Sequence, residues 1–250
     1  MQVLIPMAGA GSRFQSAGFD VPKPFIRFLG KTMIQNVVEN LGINNEFIFV
    51  VQKEHIDTYK NEFNGLQYTV NRNFTFPLNL VSLTAPTEGA ADSCLRAASL
   101  LDLNKPLMIA NCDQMMDWNP IEFKAWFLDS GLDGAMITFD SQDPKNSYVE
   151  VGDDGLVVRT VEKEVISRHA TNGIYVWRRA RDFVDAAKEM IMFNRRVNNE
   201  FYVCPCYNRN IAWKQKIGIY QRIGKHHPIG TPQDLVKYLD HLAGKKHGNT

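Results

Sequence analysis

Hydrophobic positions recur along this chain with two different periods. Up to about residue 130, short apolar runs alternate with stretches of helical spacing. Residues 3–8 are apolar and end in a glycine-rich stretch, which predicts a buried strand. Over 32–41, Ile34, Val37, Val38 and Leu41 fall at i, i+3, i+4 and i+7, one face of a helix. Residues 47–51 predict a second buried strand, 53–63 a more polar helix and 80–83 a third strand. Residues 90–101 predict a helix with Leu95, Ala98 and Leu101 turned inward. Residues 107–110 then form a fourth strand that runs into Asn111-Cys112-Asp113. This alternation predicts an α/β fold with a parallel sheet and right-handed crossovers.

Beyond Asp133 the texture becomes strand-rich. Strands are predicted at 135–139, 147–151, 156–162 and 171–177, with Gly152-Asp153-Asp154-Gly155 as a hairpin turn. Helices follow at 179–193 and 207–213. A last helix starts near Pro232 with Thr231 as its cap and an apolar stripe of Leu235, Val236, Leu239 and Leu242. Residues 244–250 are polar and basic and predict a flexible tail. Without repeats or low-complexity linkers, 1–243 reads as a single domain.

Composition narrows the choice of partner. A 250-residue chain with 44% hydrophobic and 22% charged residues is an ordinary globular protein, and its net charge of +1 offers no field to steer it to nucleic acid or a membrane. A polyanionic ligand must therefore be held by a local site. No apolar run reaches the roughly 20 residues of a membrane span, and the first residues lack the basic and apolar regions of a signal peptide. A cytoplasmic location is expected. Cys94, Cys112, Cys204 and Cys206 have neither zinc nor redox spacing and read as reduced structural thiols.

The candidate chemistry begins after the first strand, at Ala8-Gly9-Ala10-Gly11-Ser12-Arg13. Small residues there let backbone N–H groups approach phosphate oxygens and form an anion-binding nest. A dinucleotide fingerprint needs glycine where Phe14 stands and an acid where Gln52 stands. A P-loop needs glycine where Phe25 stands, so Gly30-Lys31-Thr32 reads as a turn and helix start. Arg13 offers a planar fork for phosphate, and Lys23, stiffened between Pro22 and Pro24, a point charge. Such a pair suits a triphosphate, whose transfer is catalysed mainly by charge stabilisation.

Gly9, Gly11, Arg13 and the lysine of Pro22-Lys23-Pro24 resemble the opening motif of the sugar-1-phosphate nucleotidyltransferases, or nucleotide-sugar pyrophosphorylases. The resemblance is strongest over 3–42. It implies a Rossmann-like (GT-A-like) fold with a mixed, mainly parallel sheet, helices on both faces and a small acceptor-side β region. It also implies an NTP-binding half, 1–130, and an acceptor-binding half, 131–243. The implied substrates are an NTP and a phosphorylated small molecule, the implied cofactor is Mg²⁺, and a homo-oligomer is compatible with the sequence.

The resemblance also implies site roles. Arg13 and Lys23 would be catalytic. Ala8, Gly9, Ala10, Gly11, Ser12, Arg13 and Gly89 would bind the nucleotide, with Gly89 against the base. Thr87 or Glu88 as a helix cap accounts for the residues around Gly89 equally well. Asp113 would hold the metal, at the carboxyl end of the sheet where ligands of open α/β folds sit. Lys163, Asn172, Gly173 and Tyr148 would line the acceptor site, although a core tyrosine explains Tyr148 as well.

Two departures stand out. Glu164 replaces the proline of the family's E-K-P segment. Pro228 stands where many members place a second metal aspartate before a late Gly-Thr, here Gly230-Thr231, and Glu200 is a candidate substitute. Adjacent histidines 226 and 227 read as polar surface. Relatives of this length look like suppliers of activated sugars for surface glycans. The alternatives are a cytidylyltransferase acting on a non-sugar phosphomonoester, a non-catalytic nucleotide-binding module of the same fold, and a GT-A glycosyltransferase, against which Asn111-Cys112-Asp113 in place of DxD argues.

Overall fold

Successive strand residues point into two separate cores. In the computed structural model, which describes residues 1–42, 45–71 and 78–247, Val3 and Ile5 enter one apolar cluster and Leu4 the other. Phe47, Phe49 and Val51 join the first cluster, while Ile48 and Val50 join the second. A sheet whose strands are buried on both sides must be covered on both sides, which is why these runs read as continuously apolar.

The sheet has nine strands. They are β1 (Gln2–Pro6), β2 (Glu46–Gln52), β3 (Asn79–Leu83), β4 (Leu107–Ala110), β5 (Gly134–Asp140), β6 (Ser147–Val151), β7 (Val157–Glu162), β8 (His169–Trp177) and β9 (Ile217–Tyr220). β3, β2, β1 and β4 are consecutive neighbours and all parallel. β8 then pairs antiparallel with β4 through Ile174–Trp177 and with β5 on its other side, and β5 pairs parallel with β9. The β6–β7 hairpin, turned at residues 152–155, meets β8 only at Ala170↔Tyr148. The sheet is therefore parallel in its first half and mostly antiparallel in its second.

The described helices include α1 (Met33–Leu41), α2 (Lys60–Val70), α3 (Ala90–Leu95), α4 (Pro120–Asp129), α5 (Ala180–Met192), α6 (Cys206–Ala212) and α7 (Pro232–His247). Buried residues of α1, α2, α4 and α7 fill the first cluster, and those of α3, α5 and α6 the second. α1 starts at a reciprocal cap: Thr32 Oγ1 accepts from the Gln35 N–H, and Gln35 Oε1 from the Thr32 N–H. Leu29 and Gly30, at φ of 51° and 78°, make the turn ahead of it, as Gly30-Lys31-Thr32 predicted.

Several boundaries differ from the sequence expectation. The helix expected over 53–63 is two, Lys53–Thr58 and α2, broken at Tyr59 where ψ turns to 40°. The helix expected over 90–101 stops at Leu95 and resumes as one tight turn, Ala98–Leu100. Thr231 caps α7 as expected, its Oγ1 accepting the Asp234 N–H, but Val236 is 56% exposed and leaves the predicted stripe. α7 also runs through Gly244 to His247, so the predicted tail is partly helical, and 248–250 lie outside the described residues. The short antiparallel ribbon of Gln114–Met116 with His226–Pro228 was not anticipated. No helix among the described residues is long and apolar enough to cross a membrane.

Candidate active site

The carboxyl ends of β1 and β4 open into a cleft because the chain stops following the sheet there. β4 ends at Ala110, while β8 carries a register shift between Thr171 and Tyr175. At that shift Gly173 turns to φ 89°, and its carbonyl accepts the Asn111 N–H. The bulge turns Asn172 and Gly173 into the gap between the β6 and β4 contacts of β8, a common use of such irregularities. A side chain at 173 would collide with the Asn111 carboxamide, so only glycine fits.

Two cavities share this gap. The larger, about 920 Å³, is lined by Ala8, Gly9, Ala10, Lys23, residues 84–90 and Glu200, among others. The smaller, about 460 Å³, is lined by residues that include Arg13, Lys145–Ser147, Glu162, Thr171–Gly173, Tyr175 and Tyr202. Ala90, Asn111 and Asp113 line both and so form their common wall.

Lys23 and Asp113 form the electrostatic centre. Lys23 Nζ lies 2.8 Å from Asp113 Oδ2, with about a fifth to a quarter of each side chain exposed. Burial pulls the lysine pKa down, but the Asp113 carboxylate outweighs it and holds the ammonium charged well above its usual range. Gly11, at φ 64°, lets Lys23 lie against the loop, since a β-carbon there would sit 3.2 Å from Lys23 Cβ. Gly230 does the same for Asp113: an added β-carbon would lie 2.7 Å from Oδ2. Asp113 is also tied to the ribbon, its carbonyl accepting the Ile229 N–H at 2.9 Å. Asp113 lines both cavities, so its carboxylate is within reach of a ligand in either. Such a donor fits a hard cation that takes one or two carboxylates plus phosphate oxygens and water.

The other predicted residues divide by position. Ala8, Gly9 and Ala10 line the larger cavity, whereas Gly11 packs on Lys23 and Ser12 opens the short helix Ser12–Gln15. Arg13 is exposed and lines the smaller cavity, where it forms no ion pair among the described residues. Gly89 lines the larger cavity but has a structural task too. At φ 130° it lies so close to Phe201 that a β-carbon would meet the Phe201 carbonyl at 2.5 Å, and Glu88 and Ala91 both bond the Phe201 backbone.

Asn172 and Gly173 line the smaller cavity. Lys163, at φ 58°, is exposed, lines neither cavity, and donates to the Tyr202 hydroxyl at 2.6 Å, which raises its pKa. Tyr148 takes the core alternative. It is fully buried, its hydroxyl donates to the Asp143 carbonyl, and it lines neither cavity. Its neighbour Ser147, on the opposite face of the strand, lines the cavity instead and hydrogen-bonds Glu162.

Glu162 is the main residue the sequence reading missed. It is 8% exposed, and burial raises its carboxyl pKa although Ser147 and Lys163 pull it down. Its place beside Lys163 in the Glu-Lys pair was the available signal. Pro228 lines the smaller cavity and Glu200 the larger, so the two candidate second-ligand positions lie on opposite sides of the Asp113 wall. All four cysteines are free and buried, and burial lifts the Cys112 thiol to about 11, too high for a nucleophile.

Known proteins resemble this chain in sequence and in fold. The chain is 25% identical over 189 residues to a mannose-1-phosphate guanyltransferase of Schizosaccharomyces pombe, covering 70% of this chain and 49% of that protein. It is 24% identical over 184 residues to the mannose-1-phosphate guanylyltransferase catalytic subunit beta of Danio rerio, covering 71% and 49%. The chain thus spans about half the length of the curated relatives it matches. A nucleoside-diphosphate-sugar pyrophosphorylase from Vibrio cholerae shares the fold with a TM-score of 0.78 at 21% identity, over 95% of this chain and 99% of that one. An inositol-1-phosphate CTP transferase from T. maritima shares it with a TM-score of 0.74 at 18% identity, over 98% and 95%. The family model for nucleotidyl transferases matches residues 2–237, and the chain belongs to that family.

Proposed function

We propose that this chain transfers a nucleoside monophosphate from an NTP to a sugar-1-phosphate, releasing pyrophosphate, with Mg²⁺ held at Asp113. The observation that carries this reading is the Lys23–Asp113 pair in the wall shared by a glycine-lined cavity and a polar one. The larger cavity takes the NTP, with backbone N–H groups around Gly9 and Ala10 facing its phosphates. The smaller takes the acceptor, with Asn172, Gly173, Glu162 and Ser147 available to sugar hydroxyls and Lys163 near its phosphate.

An acceptor phosphate oxygen then attacks the α-phosphorus in line and the pyrophosphate leaves. A phosphate monoester is already anionic at neutral pH, so no general base is needed. Lys23 neutralises charge on the transferring phosphate, and Arg13 meets charge from the acceptor side of the wall. Mg²⁺ on Asp113 would supply further charge neutralisation to the phosphate oxygens.

The mannose-1-phosphate guanyltransferases among the relatives make GTP and mannose-1-phosphate the first pair to test. Pyrophosphate release across four NTPs and a panel of sugar-1-phosphates and other phosphomonoesters, with Mg²⁺ present, is the deciding assay. Turnover with one pair, lost in Asp113→Ala and Lys23→Ala, supports the proposal. NTP binding without turnover on any acceptor, or wild-type rates in both variants, overturns it.

A further inference from the structure

Three side chains converge on the far end of the ribbon that begins at Asp113. Asp117 follows the strand Gln114–Met116, and its backbone is fastened to the opposite strand: its N–H donates to the Lys225 carbonyl, and its carbonyl accepts the Gly224 N–H. His227 lies in that opposite strand, across from Met115. His241 comes from α7. Asp117 Oδ2 is 3.6 Å from His227 Nε2 and 3.5 Å from His241 Nε2. All three donor atoms lie within 4.8 Å of one another.

These contacts are too long for good hydrogen bonds. Both Nε2 atoms are buried and without a hydrogen-bond partner among the described residues, and His227 as a whole is only 5% exposed. The sequence reading of His226 and His227 as polar surface is thereby corrected. Leaving two buried ring nitrogens unsatisfied is costly. The two Asp117–His distances have a direct explanation, because ligand atoms bound 2.0–2.2 Å from one tetrahedral ion sit about 3.3–3.6 Å apart. The rings are also held in place: His227 and His241 centroids are 4.4 Å apart, and Tyr238 packs on His227 at 5.1 Å.

We propose that Asp117, His227 and His241 form a transition-metal site, with Zn²⁺ as its ion and water in the fourth position. Two imidazoles and one carboxylate suit Zn²⁺, whereas Mg²⁺ prefers oxygen donors, so donor chemistry separates this site from the one proposed at Asp113. His226 is not a ligand. Its ring packs on Phe139, 4.8 Å away, and it lines the smaller cavity on the other face of the ribbon. The ion joins three segments, the two ribbon strands and α7. Its effect on Asp113 and Gly230, at the near end of the same ribbon, is one of positioning.

The test uses chelator-stripped full chain in buffer with excess Mg²⁺. Titration calorimetry with ZnCl₂ should give one Zn²⁺ per chain, and Co²⁺ should produce the intense visible bands of tetrahedral coordination. Asp117→Asn and His241→Ala should each weaken Zn²⁺ binding at least about 100-fold, since even outer-shell partners are worth 10- to 100-fold. His169→Ala, remote from the cluster, should bind as wild type. Absence of stoichiometric Zn²⁺ binding overturns the proposal. So does wild-type affinity in His241→Ala, or a Co²⁺ complex with only weak octahedral bands. The cobalt spectrum is read on the wild type, so the proposal stays decidable even if a variant fails to fold.

Discussion

Lys23 and Asp113, ninety positions apart in the chain, meet at 2.8 Å in the wall that divides the two cavities. The Asp113 carboxylate keeps the Lys23 ammonium charged, and the ion pair holds both side chains in place. On the proposed reaction, removing either one does two things at once: it deletes a charge that would act on the reacting phosphates and leaves its partner half-buried and unpaired. Lys23→Ala and Asp113→Ala are each expected to lower kcat about 100- to 1000-fold, the usual cost of one transition-state electrostatic group. Steady-state pyrophosphate release checks this, with circular dichroism to confirm that both variants fold.

Gly230 makes room for the Asp113 carboxylate. In Gly230→Ala the new methyl would lie 2.7 Å from Oδ2, so the carboxylate must turn or the ribbon must shift. The expected result is a folded protein whose activity needs about tenfold or more Mg²⁺ to saturate, consistent with the large effects of 1 Å misplacements. Activity measured against Mg²⁺ concentration reads it directly.

Gly89→Ala faces a harsher conflict, because both its φ of 130° and the Phe201 backbone exclude a β-carbon. Destabilisation of about 1–3 kcal/mol from backbone strain alone is expected, with further loss from the displaced 201 segment. Urea denaturation gives the stability change, and the NTP KM should rise with it. A variant as stable as wild type would show that the 84–90 wall yields more easily than its contacts imply.

Glu162 supplies a pH signature. Burial holds its carboxyl above the ordinary 4.5. The folded state therefore binds this proton more tightly than the unfolded chain does. Its contribution to stability is full below 4.5 and is lost as pH rises through the folded value. Denaturant midpoints measured from about pH 4 to 7 should show that decline on top of other titrations. Glu162→Gln should remove it, and an unchanged profile in the variant would sink the assignment.

The fold was legible wherever one periodicity governed an element. Residues 107–110, an apolar run closed by Asn111, and 147–151, an alternating stretch closed by the Gly152–Gly155 turn, were placed to the residue. The ribbon of Gln114–Met116 with His226–Pro228 was not legible, since three-residue strands carry no period and their partners lie more than a hundred positions apart. For the same reason His227 passed for surface: nothing local says that α7 brings His241 beside it. Chemistry singled out the glycines and charges next to β1, and the fold sets Ala8, Gly9, Ala10 and Lys23 along one cavity and Arg13 along the other. Tyr148 stayed open between core and cleft, and Ser147 was not singled out, because alternate strand residues face opposite ways and the sequence does not say which face meets the cleft.

Asn111 and Asp113 line both cavities, and that shared wall bears on inhibition. A molecule that joins a nucleotide to an acceptor-like head would occupy both chambers while losing translational freedom only once, so its affinity should exceed what either half achieves alone. The linker must be short, because the chambers meet at a single wall and slack would dilute the gain. With the two substrates placed as proposed, bisubstrate compounds are the ligands to try in this cleft, and the length that binds best would measure how far apart the two halves of the reaction are held.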